Sequence, residues 1–222
     1  MTKSARRPRV TVHFAQSLDG RIGPRGARTL FSGPEGTELA HRARAEHDAV
    51  LVGSNTVRVD DPQLTVRVCP GPQPRRIVLA STLAIPPRAR LFERGPGVLA
   101  IGVAGRATPE AQERLEAMGA QVRLVAASQE GLVSLDAALD EARRWGVERL
   151  LVEGGARVLT AFVRARAVDV MVIEIALCLY GAPALSALGA IGLDAPERAF
   201  ALTDTRVERM GANFVVRGNV AY

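Results

Sequence analysis

The chain has 222 residues, 47% of them hydrophobic and only 4% aromatic. That suffices for one domain with a sizeable core of Val, Leu, Ile and Ala, a composition suited to buried strands in α/β layers. The formal net charge is +6, from 29 basic and 23 acidic residues. The bases are mostly scattered arginines without interleaved aromatic rings, which favours phosphorylated small molecules over nucleic acid as partners.

No apolar run reaches the length of a membrane span, so no membrane partner is expected. The basic start, residues 1–9, is not followed by an apolar signal segment, and a cytoplasmic location is expected. Cys69 and Cys178 are too few and too far apart for a disulfide framework. With His13, His41 and His47 they show no metal-ligand spacing, and no metal is expected.

Residues 1–8 read as a flexible basic tail and 9–222 as a single domain. Val10, Val12 and Phe14 alternate with polar residues, the period of a strand, and Ser17-Leu18-Asp19-Gly20 ends it in a turn. A loop rich in Gly, Arg and Pro follows over 21–29. Ser32-Gly33-Pro34-Glu35 opens a helix, with Pro and an acid in its first turn, that runs to Ala45. Residues 49–53 form a short buried strand. Ser54-Asn55-Thr56 caps a further helical turn, which Asp60-Asp61-Pro62 ends because Pro disfavours helix in the residue before it.

Strands follow at 76–80, 98–103 and 122–125, with helices at 109–118 and 135–145. Leu150-Leu151-Val152 is a strand that enters Glu153-Gly154-Gly155, and a helix continues to 166. Residues 170–179 make a long apolar strand, of which 170–177 is either a buried central strand or part of a subunit interface. Strands at 199–208 and 213–216 close the chain. This alternation predicts an α/β fold: a mixed, mostly parallel sheet with helices on both faces and antiparallel C-terminal edge strands.

Three features carry chemistry. Glu153-Gly154-Gly155 joins a strand to a helix, where unpaired N–H groups carry partial positive charge and glycines let a phosphate approach. An ordinary strand-to-helix turn is the competing reading. In the second feature, Thr56 and Asp60 lie four apart on one helical face, and Arg67 carries a fork that suits a phosphate. Asp60-Asp61-Pro62 alone also reads as a plain helix stop. The third is Ser17-Leu18-Asp19-Gly20. Gly95-Pro96-Gly97-Val98-Leu99-Ala100 has the letters of a dinucleotide fingerprint but precedes a strand instead of linking strand to helix, and is read as chance.

In this order these stretches resemble the reductase domain of riboflavin-biosynthesis proteins, the RibD C-terminal, dihydrofolate-reductase-like family. The resemblance rests on Ser17 to Gly20, on Asp48-Ala49-Val50-Leu51-Val52-Gly53-Ser54-Asn55-Thr56-Val57, on Asp60-Asp61-Pro62-Gln63-Leu64-Thr65-Val66-Arg67, and on Leu151-Val152-Glu153-Gly154-Gly155. It implies a dihydrofolate-reductase-like fold, a homodimer, and a standalone form without the deaminase domain. The implied reaction reduces the ribosyl group of a pyrimidine ribosylamine 5′-phosphate to a ribityl chain, with NADPH as cofactor. By position, Ala15, Thr56, Asp60, Ser81, Gly154, Gly155, Ala156, Arg157, Val158 and Leu159 would contact NADPH. Arg28, Arg44, Leu64, Arg67 and Glu153 would contact the phosphorylated substrate.

The chain departs from the family pattern at several places. Leu30 stands for an aromatic that would flank the nicotinamide, His13 for a Lys, Arg28 for a Ser, Ala80 for an Asp, and Val170 for the Glu of an Asp-Glu pair. Glu153 and His13 are the candidate catalytic residues: Glu153 to orient the amine, His13 to supply the proton. Two further readings stand beside this one. One is a reductase of the same fold acting on a pterin, a dihydrofolate or a natural-product intermediate. The other is a non-catalytic nucleotide-binding protein.

Overall fold

A computed structural model describes residues 7–27, 29–93, 95–192, 195 and 199–222. The elements in order are β1 (Arg9–Ser17), β2 (Arg21–Gly23), α1 (Pro34–Ala45), β3 (Ala49–Gly53), α2 (Ser54–Asp60), β4 (Arg75–Leu79), β5 (Val98–Val103), α3 (Pro109–Ala117), β6 (Ala120–Val125), α4 (Leu135–Arg144), β7 (Arg149–Val152), α5 (Ala156–Arg164), β8 (Val170–Ala176), β9 (Leu185–Ser186), β10 (Ala201–Met210) and β11 (Asn213–Ala221).

The sheet has nine strands in the order β10-β11-β8-β1-β7-β3-β4-β5-β6. The seven from β8 to β6 run parallel; β11 pairs antiparallel with β8, and β10 with β11. The mixed, mostly parallel sheet expected from the alternating pattern is therefore what forms. Strand β7 returns from the far edge and inserts between β1 and β3, and the chain then crosses to β8 on the other side of β1. The direction of winding reverses there, and in open α/β sheets ligands gather outside the strand carboxyl ends at such a point.

Each face of the sheet carries its own core. Val10, Val12, Leu51, Ile77 and Val152 point to the face covered by α4 and α5, where Leu159 and Phe162 are fully buried. Burying each of those two side chains contributes roughly 1.5–3 kcal/mol. Val50, Val52, Val78, Ala100 and Leu151 point the other way, toward α2 and α3. The alternation follows from the strand period of two, and strands buried on both faces become continuous aliphatic runs.

Several boundaries differ from the sequence expectation. Strand β8 stops at Ala176, short of the expected 179, and Leu177 and Leu179 are exposed. The chain is diverted there because the Asp19 carboxylate accepts the N–H groups of Tyr180 and Gly181, at 3.1 and 2.7 Å. β8 is paired along both sides, with β1 and β11, which makes it an interior strand. β11 runs to Ala221, well past the expected 216. The glycine-rich stretch expected as a loop contains β2, which pairs with β9 in a separate two-stranded sheet. Arg7, placed in the basic tail by the sequence, is held by two bonds of 2.7 and 2.8 Å to the Asp169 carboxylate.

Candidate active site

The carboxyl ends of β1, β3 and β7 open into a cleft of about 260 Å³. Its floor and one wall are His13, Phe14 and Ala15 of β1, Thr56 and Asp60 of α2, and Glu153, Gly154 and Gly155 after β7. The opposite wall is Ile22 and the segment Thr29, Leu30, Phe31 and Ser32, with Ala40 of α1. Seven of the sequence-nominated residues thus meet in one place: His13, Ala15, Thr56, Asp60, Glu153, Gly154 and Gly155.

The glycine turn is shaped by close packing. A Cβ on Gly154 would lie 2.5 Å from Val158 Cβ, and one on Gly53 2.9 Å from Val158 Cγ2. Val158, in the first turn of α5, is wedged between two backbone segments that only glycine allows so near. Gly155 is the N-cap of α5, and no side chain caps that helix. Its own N–H donates to Thr56 Oγ1 at 3.2 Å, tying the turn to α2. Such an uncapped helix start fits a phosphate group by its charge. Ala156 and Arg157 continue from it, whereas Leu159 is buried in the core.

The substrate-side residues are tied more tightly than the sequence suggests. Arg44 reaches from α1 to Glu153, donating from Nε to Oε1 at 2.8 Å and from Nη2 to Oε2 at 2.6 Å. Both side chains are 13% exposed. Arg44 Nη1 also donates to the carbonyl of Thr65 at 3.2 Å. Burial alone would push the Glu153 carboxyl up, but the Arg44 charge and hydrogen bonds hold it below the usual carboxylate range. Glu153 is therefore an anion and a hydrogen-bond acceptor.

The segment Leu64 to Arg67 is held residue by residue. Leu64 takes a left-handed φ of 54° with its side chain in the core. Strain of this kind costs on the order of 1–3 kcal/mol and persists only where surroundings impose it. Here they do: Thr65 is bonded to Arg44, Val66 makes two bonds with the Gln73 amide, and the Arg67 N–H donates to His41 Nδ1 at 2.8 Å. The Arg67 side chain bonds Thr65 Oγ1 at 2.5 Å and is exposed. Arg44, Leu64, Arg67 and the half-buried Ser81, after β4, do not line the cleft. Arg28 lies outside the described residues.

The β1–β7 register pairs Val12 with Val152, which puts His13 beside Glu153 on the face under α1. His13 Nε2 is buried and has no hydrogen-bond partner. Burial lowers the His13 pKa; the Glu153 and Glu174 carboxylates oppose this, and Arg44 and His47 add to it. His47 Nε2 contacts Thr11 Oγ1 at 2.9 Å and its Nδ1 the Ala43 carbonyl at 2.6 Å. Helix α1 thus covers the centre of the sheet through a polar layer. Of the wall, the sequence pointed to Leu30 but not to Ile22, Thr29, Phe31, Ser32 or Ala40, and it did not point to Glu174. One signal was available for the latter: Glu174 is the sole charge in an aliphatic strand.

The fold defines an α/β protein of the dihydrofolate-reductase-like class. Dihydrofolate reductase from Enterococcus faecalis superposes with a TM-score of 0.52 over 95% of this chain and 96% of its own, at 13% identity. RibD from Acinetobacter baumannii superposes with a TM-score of 0.81 over 99% of this chain, at 24% identity, and the chain spans 60% of that protein. Within this class the chain belongs to the RibD C-terminal domain family, which matches residues 8–216. Two relatives carry the name 2,5-diamino-6-ribosylamino-4(3H)-pyrimidinone 5′-phosphate reductase. The one from Aquifex aeolicus is 36% identical over 73% of this chain and 74% of its own. The one from Methanothermobacter thermautotrophicus is 32% identical over 96% of this chain and 99% of its own. No helix among the described residues is long and apolar enough to cross a membrane.

Proposed function

We propose that the chain is an NADPH-dependent reductase of a pyrimidine ribosylamine 5′-phosphate in riboflavin biosynthesis, converting the ribosyl group to a ribityl chain. The observation that carries this reading is the convergence of the glycine turn, Thr56 and Asp60 with Glu153 and His13 in one cleft. The names of the two relatives supply the substrate. The α5 start, Thr56, Asp60 and Ala15 would hold the dinucleotide, with its phosphates at the helix N-terminus. NADPH, when bound, supplies the hydride to C1′ of the ring-opened substrate.

The chain's own residues orient the reactants and manage one proton. Glu153, kept ionised by Arg44, accepts hydrogen bonds from ribose hydroxyls or the amine. Arg67, with its exposed guanidinium, meets the 5′-phosphate. His13 delivers the proton that the substrate nitrogen gains as C1′ gains the hydride. Burial lowers its pKa, so the imidazolium is a better proton donor than an exposed one and forms as pH falls, and turnover is expected to rise in that direction. The family reading also carries a homodimer and a cytoplasmic location.

The test is a substrate panel with NADPH and NADH, followed by the loss of nicotinamide absorbance. Oxidation of NADPH with the ribosylaminopyrimidine phosphate, and not with dihydrofolate or a pterin, is expected. Binding of NADPH without oxidation by any panel member would refute the reading.

A further inference from the structure

Glu174 of β8 is 1% exposed and carries a second carboxylate under α1. Removing a carboxylate from water costs several kcal/mol unless its oxygens are hydrogen-bonded. Both donors here are neutral. The Ser32 hydroxyl donates to Oε2, and Asn213 Nδ2 donates to Oε1 at 2.6 Å. The first turn of α1 completes the enclosure. A Cβ on Gly36 would lie 2.5 Å from Oε1 and 2.6 Å from Oε2, so only glycine admits the carboxylate there. The positive end of the helix dipole faces the same charge.

The outward side of this cluster is the cleft wall. Asn213 Nδ2 also donates to the Phe31 carbonyl, at 2.8 Å. Ser32 and Phe31, both bonded to the cluster, line the cleft, as do Thr29 and Leu30. Thr29 to Gly33 carry no regular secondary structure. Leu30 is 75% exposed at the mouth, and Phe31 meets Tyr180 edge-on with ring centroids 5.6 Å apart. The backbone of a loop that faces the reactants is thus hung from a buried carboxylate and amide on two strands of the sheet.

We infer that Glu174, Asn213 and Ser32 form a positioning unit that fixes the Thr29–Ser32 wall against the reacting ends of cofactor and substrate. Glu174 and Asn213 lie behind the wall and do not line the cleft; Ser32 links them to it. It acts through wall geometry, and a displacement of about 1 Å at a reacting centre costs roughly a hundredfold in rate. The kinetic part of this inference rests on the reductase reading; the structural part does not.

The test uses the full chain with E174Q, N213A, S32A and S32T. In E174Q, N213A and S32A, kcat is expected to fall about 10- to 100-fold, with KM for the ribosylaminopyrimidine phosphate and Kd for NADPH within about threefold of wild type. S32T keeps the hydroxyl donor and restores most of the kcat lost in S32A. The E174Q/N213A double variant is no worse than the poorer single, because both break one network. In hydrogen exchange, amides of the wall speed up by about tenfold or more while those of β3 and β7 hold their rates.

Unchanged wall exchange in both E174Q and N213A overturns the inference, as does an increase spread equally through β3 and β7. A fall in kcat matched by an equal rise in both binding constants overturns it as well. A wild-type chain that oxidises no NADPH with this substrate sinks the functional reading alone. In that case exchange confined to the wall still upholds the brace.

Discussion

Arg44 and Glu153, 109 positions apart, are joined by two N–H···O bonds of 2.8 and 2.6 Å, and of the two Glu153 lines the cleft. The pair is both structural and electrostatic. Removing the cation leaves a carboxylate with little access to water, whereas making the carboxylate neutral leaves Arg44 donating one bond to the amide oxygen and another to the Thr65 carbonyl. Replacing Arg44 by Met is therefore expected to cost about 3 kcal/mol of unfolding free energy, and more than Glu153→Gln costs. Urea denaturation of both variants checks the order. Glu153→Gln, in turn, is expected to lower kcat while NADPH titration stays near wild type. Loss of NADPH binding in that variant would remove Glu153 from the substrate side.

The wedge of Val158 between Gly53 and Gly154 makes a steric prediction. Gly154→Ala places a Cβ 2.5 Å from Val158 Cβ, so either α5 or the turn must shift. Overpacking of this kind costs about 1–3 kcal/mol. The shift also moves the uncapped start of α5, so affinity for the dinucleotide falls with stability. Adding Val158→Ala opens the space and is expected to restore part of both. Thermal melts and NADPH titrations of the single and double variants measure this; a double variant no better than the single one would show that the turn is not limited by Val158.

His41 ties stability to pH. Its Nδ1 accepts the Arg67 N–H, so the ring is neutral in the folded protein. Burial, then the Arg44 and Arg67 charges, lower its pKa from 6.5 to about 4. The unfolded chain binds a proton between those values that the folded chain refuses. The contribution is fully present above about pH 6.5 and is lost as pH falls toward 4. His13 and His47 are lowered too, chiefly by burial, and act with the same sign. Tm is expected to fall across this window. His41→Asn keeps an acceptor for the Arg67 N–H without titrating, and it should flatten the fall. Equal slopes for wild type and variant would place the acid sensitivity elsewhere.

Much of the fold was legible because its signals are local. The aliphatic runs at β3, β5 and β7 are short and rich in branched residues, as strands buried on both faces are, and Gly33-Pro34 and Asp61-Pro62 mark helix boundaries. The motif residues of the cleft were legible for a similar reason. Thr56, Glu153, Gly154 and Gly155 sit at a strand end or helix start, and Asp60 at a helix end, that their neighbours in sequence already define. β2 and β9 were not legible, since a two-residue or three-residue strand exists only by virtue of its distant partner.

The sequence by itself determined the α/β alternation, the glycine turn after β7 and the family to which the chain belongs. Those depend on periodicity and on short motifs. Only the tertiary structure decided that Arg44 grips Glu153, that Arg67 carries the exposed guanidinium, and that Glu174 hangs the cleft wall from β8 through Ser32 and Asn213. These partners are 109, 142 and 39 positions apart. Their meeting follows from the strand order β11-β8-β1-β7, which gathers remote segments beneath one polar helix. A buried charge must find its hydrogen bonds wherever packing brings donors to it, and spacing along the chain does not encode that.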